Sequence, residues 1–354
     1  MKILYLMHIN WHWIRQRPQA VAGLLAQRHE MHFMHYAMYR RSHRANEAPA
    51  PGPARVLARL PGRLKRAWSG FARLDQAWIA RQVAAEARRF APDLVWVTHP
   101  DFAAAVRACG VARVVYDCMD DPLAFDAGGA TELARAEQRL IQSAELTIFS
   151  SATLAERVTR RAPPRRQLVV NNGVDERLCS RPAPPAPAQA GGRFTLGYFG
   201  TLSHWFDWSL ILQLLDALPT VELRLAGPVE ATLPSHPRVH HVGILEHGQL
   251  AAFAAECHAL VMPFVLSPLT EAVDPVKLYE YIAFGRPALA PRYRESERFE
   301  PLVTLYRDHA EAIAQVRHWA APGTLSAPAM GPAQVFLQAN TWQRRGTQIL
   351  AALG

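Results

Sequence analysis

The stretch 271–290, EAVDPVKLYEYIAFGRPALA, sets a lysine and a glutamate three residues apart inside the signals that start and stop a short helix. Asp274 suits the N-cap, Pro275 the first helical position, and Gly285 the left-handed residue that follows a last turn. Such a helix start presents unpaired backbone N–H groups, which attract anions. Lys277 adds a compact positive charge suited to phosphate oxygens, and Glu280, on the same face, can accept two hydroxyls of a ribose. A diphosphate held this way requires no metal ion. The competing reading is an ordinary i, i+3 ion pair between Lys277 and Glu280 on a surface helix.

A second constellation is LGYFGTLSHWFDW, residues 196–208. A strand ending at Phe199 opens through Gly200 and Thr201 into a loop whose N–H groups and hydroxyl can face a phosphate or a sugar. Trp205 and Asp207 supply a ring for a sugar face and a carboxylate for its hydroxyls, with His204 beside them. Asp207 can equally cap a helix that begins near Trp208.

Three further strand ends gather polar and aromatic groups: HINWHW with His8, Asn10, Trp11 and His12; THPD with His99; and YDCMDD with Asp117, Asp120 and Asp121. A carboxylate at such a place can serve as general base for a hydroxyl nucleophile, and Asp120 is the first choice. Asp117 and Asp121 compete with it, one of them expected to orient backbone or cap a helix. A metal site on this Asp trio is the poorer reading, since metal-held nucleotide-sugar sites usually show a tight Asp-x-Asp, and a helix terminus with Lys277 can do the same work.

These residues need a scaffold that places strand ends side by side. The chain has 354 residues, 50% hydrophobic and 19% charged, enough for two folded domains and too apolar for disorder. Strands and helices alternate from KILYLMHI onward, which predicts doubly wound α/β domains with parallel sheets. A Pro/Ala/Gly stretch at 181–192, RPAPPAPAQAGG, divides an N-terminal domain (1–180) from a C-terminal one (193–333), and a helical segment closes the chain (334–354). Ligands of such sheets sit at the carboxyl ends of strands and, with two domains, in the cleft between them.

Four cysteines without zinc-like spacing are read as reduced thiols. No apolar run approaches the roughly 18 residues needed to span a bilayer, and the first one is too short for a signal peptide, so a cytoplasmic protein is expected. The net charge of +9 is unevenly divided. Residues 1–180 carry 26 basic and 16 acidic side chains, whereas 181–354 carry 13 and 14. Much of the surplus lies in segment 40–89, where the stretch 55–73 interleaves Arg55, Arg59, Arg63, Lys65, Arg66 and Arg73 with Leu57, Leu60, Leu64, Trp68 and Phe71. That pattern fits either an anionic membrane surface or a solvated helix pair. No nucleic-acid motif accompanies it.

Taken in order, WHWIRQRPQ, VVYDCMDDP with IFSSATLAERV and VVNNGVD, LGYFGTLSHWFDW and DPVKLYEYIAFGRPALA resemble glycosyltransferases of the two-Rossmann-domain type called GT-B. The pattern is similar to bacterial transferases of teichuronic acid and exopolysaccharide synthesis. The resemblance implies two Rossmann-like domains facing across a cleft, with a C-terminal helix crossing back to the first. It implies a nucleotide-diphosphate sugar, UDP- or GDP-linked, on the C-terminal domain and a lipid-linked or saccharide acceptor on the N-terminal one. By position, Lys277 would meet the diphosphate and Glu280 the ribose, Gly243, Ile244 and Leu245 would border the base, and Gly200 and Thr201 the phosphates or sugar. His8, Asn10, Trp11, His12, His99 and Asp117 would lie on the acceptor side. Many retaining members carry another glutamate eight residues before the ribose glutamate; here that position is Ala272, with Glu271 adjacent, which leaves the retaining or inverting outcome open. The expectation is a metal-independent glycosyltransferase, with no cofactor, at the cytoplasmic membrane face. A nucleotide-sugar epimerase and a non-catalytic binding or assembly protein of the same fold are the alternatives.

Overall fold

The computed structural model of the chain describes residues 1–37, 46, 48–60, 69–125, 130–179, 187, 192–326 and 328–354. They form two α/β units, Met1–Asn171 with Gly346–Gly354, and Asn172–Arg345.

In the first unit, strands β1 (Lys2–Met7), β2 (Glu30–Tyr36), β3 (Ala54–Leu57), β4 (Leu94–Val97), β5 (Arg113–Cys118), β6 (Leu146–Phe149) and β7 (Gln167–Val169) make one sheet. Its order is β3-β2-β1-β4-β5-β6-β7, with every neighbouring pair parallel. The central strands are mostly apolar because helices cover both faces of a parallel sheet; every residue of β4 and β6 is buried. Tyr5 stacks on Trp96 across β1 and β4, ring centroids 5.9 Å apart. Strand order reverses between β1 and β4, so the loops that follow them diverge and leave a crevice, the usual ligand position in such sheets. His8 and Thr98–Pro100 occupy those loops.

The second unit repeats the plan with β8 (Phe194–Phe199), β9 (Val221–Ala226), β10 (Val239–His241), β11 (Ala259–Val261), β12 (Ala288–Pro291) and β13 (Thr304–Tyr306), all parallel in the order β10-β9-β8-β11-β12-β13. Its reversal lies between β8 and β11. Tyr198, Leu210, Leu214, Leu260 and Tyr281 form the centre of its core.

The units divide elsewhere than composition suggests. Most of the proline-rich stretch 181–192 falls outside the described residues, and the chain passes between units at Asn171 and Asn172. Residues from Asn172 onward are tied into the second unit by hydrogen bonds: the Asn172 backbone N–H and side-chain amide both donate to Asp274, and Val174 pairs in parallel with Thr341. The closing segment is two helices, Met330–Ala339 and Trp342–Leu353, broken at Asn340 and Thr341. Residues from Gly346 cluster with the first unit, where Arg113 donates to the Leu353 carbonyl (2.9 Å) and Arg166 to that of Ala352 (3.1 Å).

Candidate functional site

Three adjacent strands of the second unit, β8, β9 and β10, each leave the sheet through a glycine at positive φ: Gly200 (132°), Gly227 (135°) and Gly243 (89°). The first two conformations are open only to glycine in practice. The turns lie directly on one another. Gly200 N–H donates to the Ala226 carbonyl and Gly227 N–H to that of Gly243, both at 2.8 Å, and a side chain at Gly227 would overlap the Gly200 carbonyl. Ile244 and Leu245 follow at half-buried positions, Leu245 against the core. The Thr201 carbonyl accepts from Tyr198 Oη at 2.9 Å.

Facing this stack is the helix Val276–Ala283. A side chain at Gly200 would also overlap Lys277 Cε, so bare backbone is what lets the lysine reach the turn. Lys277 Nζ lies over the rings of Tyr198 (5.7 Å) and Phe264 (5.5 Å). Among the described residues it has no hydrogen-bond or carboxylate partner; burial lowers its pKa, with Glu280 acting the other way. Glu280, largely buried, accepts instead from His247 Nε2 at 2.9 Å. The surface ion pair between Lys277 and Glu280 does not form. Gly285 takes the left-handed conformation expected after the helix (φ 65°).

Asp274 departs from its expected role. The N-cap position is Pro275, which has no side-chain cap to offer. Asp274, 1% exposed, is instead bound by the Asn172 N–H, Tyr279 Oη and Arg298 Nη2. No described side chain therefore caps the first turn, and the Val276 and Lys277 N–H groups remain open to an anion.

Trp205 is half-buried, with its carbonyl accepting from Val265 N–H at 2.8 Å. Asp207 acts as the N-cap of the helix Trp208–Ala217, accepting from Leu210 N–H at 2.9 Å, while its other oxygen pairs with His309 Nε2 at 2.9 Å. Both oxygens are thus engaged in holding structure, the capping alternative for this residue.

In the first unit the three aspartates at the end of β5 and in the loop after it separate cleanly. Asp117 is 1% exposed and bridged by Arg17 at 2.8–2.9 Å; burial raises its pKa and Arg17 opposes the rise. That buried pair withdraws Asp117 from the acceptor side. Asp121 binds Arg161, which also holds buried Glu137. Asp120 alone of the three is half-exposed, and its carboxylate has no hydrogen-bond partner among the described residues. Burial pushes its pKa up to about 6, against the pull of Arg17 and with a small push from Asp121. A free carboxylate that changes charge near neutrality suits proton transfer.

The β1 and β4 loops bring His8 and His99 together, ring centroids 4.8 Å apart. His8 Nδ1 meets Thr98 Oγ1 at 2.9 Å, and burial lowers the pKa of both rings. Asn10 is used locally, bonding His35, the Tyr36 carbonyl and His12 N–H. Trp11 is 5% exposed and donates to the Ala48 carbonyl, and His12 meets the Asn46 carbonyl. His8 and His99 thus remain at the crevice, whereas Asn10 and Trp11 build its wall. Among the described residues no three His, Cys, Asp or Glu side chains converge as a metal site requires.

Residues 208–351 match the model of the glycosyl transferase-like family. A Bacillus subtilis (strain 168) protein named as a teichuronic acid biosynthesis glycosyltransferase, TuaH, is 26% identical over 227 residues, covering 58% of this chain and 57% of that protein. The match thus spans little more than half the length of that relative. The whole chain superposes on sucrose-phosphate synthase from Thermosynechococcus elongatus with a TM-score of 0.75 at 13% identity, covering 100% of this chain and 98% of the other. The lipopolysaccharide outer core galactosyltransferase WaaB gives 0.67 at 13%, with both chains fully covered. The E. coli trehalose-6-phosphate structure bound with UDP-2-fluoro glucose gives 0.72 at 9%, covering 100% and 99%. The fold is GT-B.

The second unit contains two candidate site residues that sequence reasoning missed, Gly227 and His247. Gly227 ends VELRLAG as Gly200 ends LGYFG, a repeated strand-then-glycine signal that was legible. His247 lies 33 residues from its partner Glu280, and no local pattern links them.

Proposed function

We propose that the chain is a glycosyltransferase that moves a sugar from a nucleotide diphosphate to a lipid-linked or polysaccharide acceptor in cell-surface polysaccharide synthesis. One observation carries the donor assignment: an uncapped helix start at Val276 whose first-turn lysine, lacking a carboxylate partner among the described residues, reaches the glycine turn at Gly200. The family match, the TuaH relative and the UDP-sugar bound to a neighbour of the same fold support the same reading.

In this scheme the diphosphate binds the Val276 and Lys277 N–H groups and Lys277 Nζ, and Glu280 accepts the ribose hydroxyls. An acceptor hydroxyl oxygen bonds to the anomeric carbon as the carbon–oxygen bond to the diphosphate breaks. The diphosphate leaves with the electron pair, and its charge is taken up by the helix start and Lys277 rather than by a metal ion. In an inverting reaction the hydroxyl proton passes to Asp120; in a retaining one it passes to the departing diphosphate oxygen, and Asp120 orients the acceptor. The anomeric configuration of the product, read by NMR, assigns which.

The membrane role contracts to a defined surface. Arg55 pairs with buried Glu86 and Arg59 with buried Asp75, so these two hold the unit together, and residues 61–68 lie outside the described ones. On the helix Ser69–Phe90, Leu74 (51% exposed) and Trp78 (44%) share an outward stripe with Arg81, flanked by Arg73 and Arg88. An apolar stripe edged by arginines fits an anionic membrane interface. Among the described residues no helix is long and apolar enough to cross a membrane.

Calorimetry with UDP and GDP tests the donor site. Lys277→Ala and Glu280→Ala are expected to weaken binding of the preferred nucleotide while leaving the melting profile in place. Unchanged affinity in both variants would remove the assignment. Donor consumed without acceptor would point to an epimerase instead.

A further inference from the structure

The donor reading requires two things of the helix Val276–Ala283 that conflict. Lys277 and Glu280 lie three residues apart, the spacing at which opposite charges on a helix pair. If they paired, the lysine would be withdrawn from the phosphates and the carboxylate from the ribose. The structure resolves the conflict through His247, whose Nε2 lies 2.9 Å from Glu280 Oε1.

His247 is itself held firmly. It opens the short helical turn His247–Gln249, and the residue before it, Glu246, forms a reciprocal capping box with Gln249, in which the Glu246 N–H donates to Gln249 Oε1 at 2.9 Å. The turn follows directly from Gly243, Ile244 and Leu245, so the loop bordering the expected base also fixes the histidine. The side chains of His247 and Glu280 are 29% and 12% exposed. A bond in so sheltered a place orients a carboxylate more firmly than an open surface contact would.

We propose that His247 is a positioning residue: it holds Glu280 for the two ribose hydroxyls and keeps the carboxylate off Lys277, leaving the lysine to the diphosphate. The proposal rests on the donor-site reading and adds a residue to it. A carboxylate has about four acceptor positions, so one bond from His247 leaves room for a vicinal diol. Without the histidine, Glu280 is expected to turn toward Lys277, three residues away on the same helix face.

The test compares UDP and GDP with their 2′,3′-dideoxy counterparts by calorimetry on the full chain. The intact protein is expected to prefer the ribonucleotide by about tenfold, the size of a charge-assisted hydrogen-bond contribution. His247→Ala is expected to reduce that preference to within about twofold, as Glu280→Gln does, and His247→Gln, which retains a donor amide, to restore part of it. A role confined to fold stability would weaken both nucleotides equally and leave the preference standing, which overturns the proposal. If His247→Ala does not fold, the His247→Gln preference decides: one below the intact value but above that of Glu280→Gln supports the proposal, and an unchanged one overturns it. A wild-type protein that binds neither ribonucleotide overturns the donor reading itself, and a protein that binds both sugar forms equally overturns only the ribose contact.

Discussion

Replacing Asp120 by asparagine separates catalytic need from structural cost. The carboxyl titrates at about 6 rather than 3.8, because the charged form loses solvation without gaining a hydrogen bond. A rise of roughly two units is worth up to about 3 kcal/mol at about 1.4 kcal/mol per unit. Since the side chain is partly open to water, about 1–2 kcal/mol is the reasonable expectation. The sign follows from proton binding. An acid whose folded-state value lies above its unfolded one binds protons more tightly when folded, so stability falls as pH rises from 3.8 to 6 and stays reduced above that. Asparagine has no such charge to bury. Asp120→Asn is therefore expected to be more stable than the parent at pH 8 by about 1–2 kcal/mol, a few degrees in melting temperature for a unit of this size, and to match it below pH 4. Transfer activity should fall steeply in the same variant, and in the parent it should decline as pH drops through about 6 if Asp120 takes the acceptor proton. Unfolding followed by circular dichroism at pH 4, 6 and 8, alongside a transfer assay, checks both halves. A variant that is less stable at every pH would show that Asp120 has a structural partner and refute the argument.

Four other perturbations bear on the same assignments. Gly200→Ala places a methyl group at φ 132° and against Lys277, so it should cost stability and weaken UDP or GDP binding by about tenfold or more in calorimetry. Asp207→Ala removes an N-cap and its His309 partner, and is expected to lower stability by about 1 kcal/mol in denaturant unfolding with little change in nucleotide affinity. Arg17→Ala leaves Asp117 charged and unpaired in the sheet; urea titration should show a loss of about 3–5 kcal/mol, largely recovered when Asp117→Leu is added to Arg17→Met. Vesicle flotation should show stronger recovery with anionic than with neutral lipid, reduced by Trp78→Ala and Arg81→Ala; equal recovery would count against the helix face as a docking surface.

The parallel sheets, the order of their elements and the helix bearing Lys277 and Glu280 were legible because each depends on local pattern: apolar runs of strand length, glycines at strand ends, and a proline and a glycine bracketing a short helix. Asp274 was misread because Asp-Pro is an N-terminal signal in sequence, yet tertiary partners Asn172, Tyr279 and Arg298 outbid the cap by satisfying a buried carboxylate. His247 and the Arg17–Asp117 pair were invisible for the same reason: contacts 33 and 100 residues apart leave no periodic trace.

The positive surplus of the first half acquires a different meaning once its partners are known. Buried Asp75, Glu86, Asp117, Asp121 and Glu137 are each met by an arginine, so Arg17, Arg55, Arg59, Arg89 and Arg161 neutralise acids that the fold has drawn out of water. A lysine at these places would provide a single point charge where several contacts are needed at once; Arg161 alone reaches both Asp121 and Glu137. Charge counting therefore overstates what segment 55–73 offers to a membrane. Asp120 is a carboxylate beside this network that no described arginine hydrogen-bonds, and Lys277 is a cation of the second unit with neither a carboxylate nor a hydrogen-bond partner among the described residues, whereas Arg238, Arg286 and Arg345 donate to backbone carbonyls. The reaction proposed above has most use for groups left unpaired in this way, which is why Asp120 and Lys277 are the positions to test first.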